Sequence, residues 1–368
     1  MFEPSDGGVW RSNALLLWPS PGRSRQPRAR RRRHRASDAP PGPGDPTHVR
    51  PSGGSHAYDI AAGQSGELYV ITRAGESHDV RVVDGPGTPR ILQPGSGGVE
   101  VDSSGDILWA SYHPFPTGPT LERLSPATGT RTLIVNLGGY PNAITLDSAG
   151  TIWITKYNSG GRNYSGHSSM DQFDRAGQVL SSIHWRPAVS VRGLAFSPAG
   201  VLHIIANGRV TVLDRTAPDS LRAVFQPPSA ATSLAFDSLG NIYLTTVANG
   251  ILRLSSDYEL LDNPFAITNL TAAVDVAFMR DRCGRMTRRL VATAGANIVE
   301  VDTSAIPAPG FNIGPEPSPV SLDDDAVIAH LMQGARLNPR QVCHVDENGN
   351  NNGRFDIGDV SVWLELDE

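Results

Sequence analysis

The chain is poor in cysteine: among 368 residues there are two, Cys283 and Cys343, sixty positions apart. Two distant thiols build neither a disulfide framework nor a zinc knuckle. Lysine is nearly absent. Lys156 stands alone, so the positive charge is carried by arginine, which reflects coding bias rather than mechanism. Charged residues are 19% and aromatics 7%, too sparse for a solvent-laced helical bundle. No window of 18 apolar residues occurs, which excludes a membrane-crossing helix. Glycine (38) and proline (29) are plentiful instead. They remain below the roughly 25–30% that marks low complexity. Many turns with few charges favour an all-β fold.

Charge is unevenly spread. Residues 1–56 carry ten Arg and four acids; the remainder carries 22 basic and 33 acidic residues. An acidic body argues against a nucleic-acid partner. Within 1–56 the apolar run Ala14-Leu15-Leu16-Leu17-Trp18 is shorter than a signal-peptide core of about 7–15 residues. The basic cluster from Arg28 to Arg35 follows that run instead of preceding it, and Pro40-Pro41-Gly42-Pro43-Gly44 breaks regular structure. Residues 1–56 therefore read as a disordered, basic, Pro-rich segment.

From residue 57 a phrase recurs: alternating apolar residues, a short turn with Gly, then an apolar strand. Copies are Val99-Glu100-Val101-Asp102 with Gly105-Asp106-Ile107-Leu108-Trp109, and Ile144-Thr145-Leu146-Asp147 with Gly150-Thr151-Ile152-Trp153-Ile154. Others begin at Tyr58, Leu194, Leu234 and, with an insertion, Val274. The turn glycines 66, 105, 150, 200 and 240 are 39 to 50 residues apart. That period with two-residue alternation is the signature of propeller blades. Asp102, Asp147 and Asp237 recur at one repeat position, which marks turn chemistry rather than catalysis. The six copies over 57–305 resemble the NHL and virginiamycin B lyase group of six-bladed propellers, with sugar-lactonase-like propellers close by. The resemblance implies an all-β six-bladed ring. For activity it implies histidine and glutamate with magnesium in the lyases, or Glu, Asn and Asp around a divalent ion in the lactonase-like members.

Neither set is legible. His113, His167, His184 and His203 fall at unmatched positions, and His203 sits in an apolar strand as a core histidine would. The loops after Tyr112 and Lys156 are the places for a ligand-facing rim, with Lys156-Tyr157-Asn158 and Arg162-Asn163-Tyr164. No nucleophile elbow, phosphate loop or zinc helix motif appears, so no catalytic residue is assigned.

Residues 306–321 read as a Pro-rich linker. Residues 322–368 read as a small helical module. Asp323-Asp324-Asp325 opens one helix, and Asn338-Pro339-Arg340-Gln341 opens a second, with Cys343 as a buried thiol. Counting from Asn348, oxygen side chains fall at positions 1, 3, 5, 9 and 12: Asn348, Asn350, Asn352, Asp356 and Asp359. Gly353 stands at position 6, and Arg354 offers its carbonyl at 7. Asp346 replaces Asn348 if the loop is longer by two residues. This spacing suits Ca2+, which takes six to eight hard oxygens. The segment resembles one half of a type I dockerin, an EF-hand-type module. The resemblance implies a cohesin-like protein partner or a carbohydrate context, although the missing first loop argues against cohesin binding.

The resulting expectation is a monomeric, non-catalytic, ligand- or protein-binding propeller with a calcium-binding tail, extracellular or at the cell surface. The alternative is a lyase- or lactonase-type enzyme acting on a saccharide or lactone in polysaccharide degradation. A metal bound in the central channel separates the second from the first, and absence of any Asp, Glu, Asn or His cluster at the channel mouth rejects it.

Overall fold

Asp102 accepts the N–H groups of Ser104 (2.9 Å) and Asp106 (3.0 Å), and Asp147 those of Ala149 (3.0 Å) and Thr151 (2.8 Å). Asp237 does the same with Leu239 (3.0 Å) and Asn241 (2.9 Å). Gly105, Gly150 and Gly240 follow in the left-handed region, at φ 83, 78 and 84°. Each turn is thus closed by its own carboxylate and opened by a residue without a Cβ, and each reverses the chain into a hairpin.

The computed structural model describes residues 46–365 less several connections, the longest being 84–89, 112–117, 159–166, 262–272 and 304–321; residues 350–354 also lie outside. The first strand is β1 (Pro46–Pro51). One sheet then holds β2 (His56–Ala62), β3 (Leu68–Ala74), β4 (Ser77–Val83) and β5 (Arg90–Pro94). The next holds β6 (Val99–Val101), β7 (Ile107–Ser111), β8 (Thr120–Ser125) and β9 (Thr130–Asn136). The third holds β10 (Tyr140–Leu146), β11 (Ile152–Asn158), β12 (His167–Phe173) and β13 (Val179–Trp185). The fourth holds β14 (Val191–Phe196), β15 (Leu202–Ala206), β16 (Arg209–Leu213) and β17 (Leu221–Phe225). The fifth has β18 (Ala231–Phe236), β19 (Ile242–Thr246) and β20 (Gly250–Leu254). The sixth holds β21 (Ala273–Arg280), β22 (Met286–Ala294) and β23 (Asn297–Asp302), with β1 at its outer edge. The protein is a six-bladed β-propeller.

First strands meet around the axis: β2 packs on β6, β6 on β10, β10 on β14, β14 on β18, β18 on β21, and β21 on β2. The second strand of each blade is apolar on both faces because both are covered. In β7, Ile107 and Trp109 pack toward the first blade, whereas Leu108 and Ala110 pack toward the third. Each of the six blade interfaces has its own apolar cluster. No blade buries both its faces alone, so the ring is the folding unit.

The closing strand corrects one expectation. Residues 1–56 were to be without regular structure, yet Pro46–Pro51 pairs antiparallel with β23, from Pro46 opposite Val301 to Pro51 opposite Asn297. Proline is tolerated there because an outermost strand needs partners on one side only. The strand joins the two ends of the ring.

Three helices follow: α1 (Asp324–Gln333), α2 (Pro339–Asn348) and α3 (Ile357–Glu365). Asp323 caps α1 by accepting the Ala326 N–H (2.6 Å). Val327, Val345 and Val360 form a small shared core, with Trp363 packed against it and donating its indole N–H to Asp324 (3.0 Å). The Pro-rich segment 306–321 lies outside the described residues.

Candidate functional site

Hairpin register aligns the blades. In the first strands of blades one to five, the residue opposite the start of the second strand is Ala62, Val101, Leu146, Phe196 or Phe236; in blade six, where β22 starts earlier, the matching residue is Phe278, opposite Leu290. One residue earlier stand Ala61, Glu100, Thr145, Ala195, Ala235 and Ala277; three residues earlier stand Asp59, Gly98, Ala143, Gly193, Ser233 and Asp275. Both sets share one face, since the period is two. Small residues fill nearly every position. The three exceptions are acids on neighbouring blades six, one and two: Asp275, Asp59 and Glu100.

These acids line a cavity of about 1090 Å³ on the propeller axis. Asp275 Oδ2 accepts the Ile60 N–H (2.7 Å), a donor that also reaches Asp59 Oδ1 (2.9 Å). Asp59 Oδ2 accepts the Val99 N–H (3.1 Å), and Glu100 Oε1 the Val101 N–H (3.0 Å). The acids are therefore fixed, and they link three first strands. Burial holds the Asp59 carboxyl well above its usual range, and the neighbouring Asp275 raises it further by charge and by a hydrogen bond that requires a proton between the two. Burial also pushes Glu100 up to about 7, against the lowering pull of its Val101 bond and of Arg280. Such a group exchanges its proton near neutrality, beside the raised carboxyl of Asp59.

The resemblance to lactonase-like propellers implies an ion in this region. Among the described residues, no three His, Cys, Asp or Glu side chains are placed to share one. The channel acids do not fit that set, and no chemical step is derived through a metal there.

The sequence-predicted positions fare unevenly. His203 is a core residue: its Nδ1–H donates to Val201 O (3.0 Å), Nε2 accepts from the Tyr258 hydroxyl (3.1 Å), and burial lowers its pKa. His184 is exposed on an outer strand. Lys156 points inward, bonded to Leu137 O (2.8 Å) and paired with buried Asp171, so it is structural. His113, Arg162, Asn163 and Tyr164 lie outside the described residues, as do the side chains of His167 and Asn158.

In the tail, Asn348 ends α2, while Asn350, Asn352, Gly353 and Arg354 lie outside the described residues. Asp346, by its main-chain carbonyl, and Asp359 both come to Gly349, and among the described residues no three acids are placed there to share an ion. Gly349 donates its N–H to Asp346 O (3.2 Å), and a Cβ there would lie 2.7 Å from Asp359 Oδ1. Asp346 is 2% exposed and Asp359 fully buried, which suits hard-cation ligands at the base of a loop. Asp356 is half-buried; its N–H donates to Asp359 Oδ2 (2.8 Å), and its Oδ1 accepts from Gly358 (2.8 Å). Cys343 requires a correction: it is buried as expected, but it is disulfide-bonded rather than a thiol. The chain's other cysteine is Cys283, which lies outside the described residues. Helical register placed Cys343 on an apolar face but carried no information about what that face meets.

No protein-family model matches the chain, and no curated protein matches it. Solved structures do. A candidate gluconolactonase from a structural genomics programme superposes with a TM-score of 0.54 at 15% identity, covering 71% of this chain and 94% of that one. A gluconolactonase from Xanthomonas campestris gives 0.50 at 18%, covering 72% and 98%. Virginiamycin B lyase from Staphylococcus aureus gives 0.44 at 13%, covering 67% and 94%. At these identities the likeness establishes the propeller fold. The expectation of a non-catalytic binding propeller is corrected: the two structures with the higher TM-scores are gluconolactonases, which favours the lyase- or lactonase-type alternative over it.

Proposed function

We propose that the protein is a lactonase-type hydrolase that opens a cyclic ester of a sugar-like acid in the central channel. The observation that carries the reading is the trio Asp59, Asp275 and Glu100 on one rigid channel wall, with the Asp59 and Glu100 carboxyls both raised. Lactone hydrolysis needs a base to take a proton from the attacking water and an acid to protonate the ring oxygen as its bond to the carbonyl carbon breaks. Glu100, ionised above about pH 7, supplies the base. Asp59, whose carboxyl burial and the neighbouring Asp275 hold well above its usual range, supplies the acid. Arg280 and Arg285 border the same cavity and suit the carboxylate that the reaction releases. The test is a panel of five- and six-membered sugar lactones incubated with the full chain, with acid release followed. Turnover above the spontaneous rate, falling away below about pH 7, is expected; no turnover at neutral or mildly basic pH overturns the reading.

A second reading concerns the tail. Residues 346–359 form a calcium loop of the half-dockerin, EF-hand type, with Asp346 or Asn348 first and Asp359 last. The burial of Asp346 and Asp359 favours it, as does the smallness of the module's apolar core, since small cores need a staple. Low ligand charge puts the affinity at roughly 10⁻⁴–10⁻³ M. Calcium titration is expected to release or absorb heat in that range and to raise the thermal midpoint of the tail, with EDTA reversing both. No heat and no shift sink the calcium loop. The disulfide at Cys343 supports an extracytoplasmic location, where such bonds persist.

A further inference from the structure

The cavity is not formed by the propeller alone. Cys343, His344, Glu347 and Asn348 of α2 line it together with the channel acids. They stand at the end where first strands turn into second strands, near Ser197 and Ser238. Glu347 is ion-paired with Arg285, which precedes β22 and also borders the cavity. Cys343, one turn earlier on the same helix, is 5% exposed and disulfide-bonded.

We infer that α2 is the floor of the channel site. The disulfide at Cys343 fastens it, Glu347 is the positioning residue that holds Arg285 across it, and ligands reach the acids from the opposite end, where the first strands begin. This rests on the reading of the channel acids as the site and adds that the tail completes it. A ring without the floor is an open tube. With the floor it is a blind pocket from which water and ligand leave by one route. Reduction releases the floor: a dithiol is oxidised to its cyclic disulfide, and the protein bond takes two electrons and two protons to give two thiols.

The test uses the full chain and carbodiimide coupling of a small neutral amine to carboxyl groups, read by peptide mass spectrometry. Coupling at Glu100 and Asp59 is expected to rise several-fold on treatment with dithiothreitol and in Cys343→Ser without it. Glu347→Gln, which keeps the disulfide, is expected to raise it less. Asp171, a buried carboxylate of β12 that does not line the cavity, is the control and is expected to stay unlabelled. Equal labelling of Glu100 in oxidised and reduced protein overturns the inference. So does a rise at Asp171 in parallel, which reports general loosening of the ring. The readout does not depend on turnover. Labelling that rises on reduction in a chain that opens no lactone rejects the hydrolase and keeps the floor; lactone opening with unchanged labelling does the reverse.

Discussion

Glu100→Gln is expected to lower kcat/KM for lactone opening by roughly 10²–10⁴-fold, the usual contribution of one general base. The same substitution is expected to make the protein more stable at neutral and basic pH. The Glu100 carboxyl is held at about 7 in the folded chain, against an ordinary value of 4.5. A carboxyl raised by folding favours the folded state fully below its unfolded pKa, and that contribution is lost as the pH climbs to the folded value. Above it, ionised Glu100 costs about 3 kcal/mol relative to its acid form, at about 1.4 kcal/mol per pH unit. The amide is neutral throughout and keeps an oxygen for the Val101 N–H. Thermal midpoints should therefore separate with rising pH, variant above wild type, and converge in acid. The wild-type rate should fall as Glu100 takes up its proton below about pH 7, and the residual rate of the variant should lack that limb. Unchanged turnover or an unchanged pH profile removes Glu100 from the reaction. Lost turnover with a lowered midpoint would show that it supports the fold instead.

The second large effect is expected from deleting residues 1–51. The deletion removes β1 and strips β23 of its outer partner along Asn297–Val301. Net hydrogen-bond contributions of about 0.5–1.5 kcal/mol each put the loss at a few kcal/mol. The exposed edge is also a template for pairing with other chains. A midpoint several degrees lower and a shift to oligomers in size-exclusion chromatography are expected. A monomer of unchanged midpoint would show that the ring closes without this strand.

The difference between what was legible and what was not follows from the range of each interaction. The blades were legible because their signals are local. Asp237 closes a turn with amides two and four residues on, and alternation in Ile107–Ala110 records that both faces are covered. The helices of the tail were legible for the same reason: Asp323 caps its own helix, and Pro339 opens the next. The channel acids carried a faint signal: Asp59, Glu100 and Asp275 replace the small residues of their repeat positions. Alignment by turn glycines puts Asp59 and Glu100 seven and five residues before Gly66 and Gly105, as their counterparts stand in the other copies; Asp275 alone escapes it, because the insertion after Arg280 displaces the turn.

The amino-acid sequence by itself determined the blade, its repetition and the helices of the tail, since each depends on residues within a few positions of one another. Tertiary structure decided the rest. It chose a distant strand to close the ring, brought acids from three blades to one cavity, turned Cys343 from a thiol into a bond, and set α2 against the channel. All of these are contacts across tens to hundreds of residues, whose energy depends on where the whole ring places its parts.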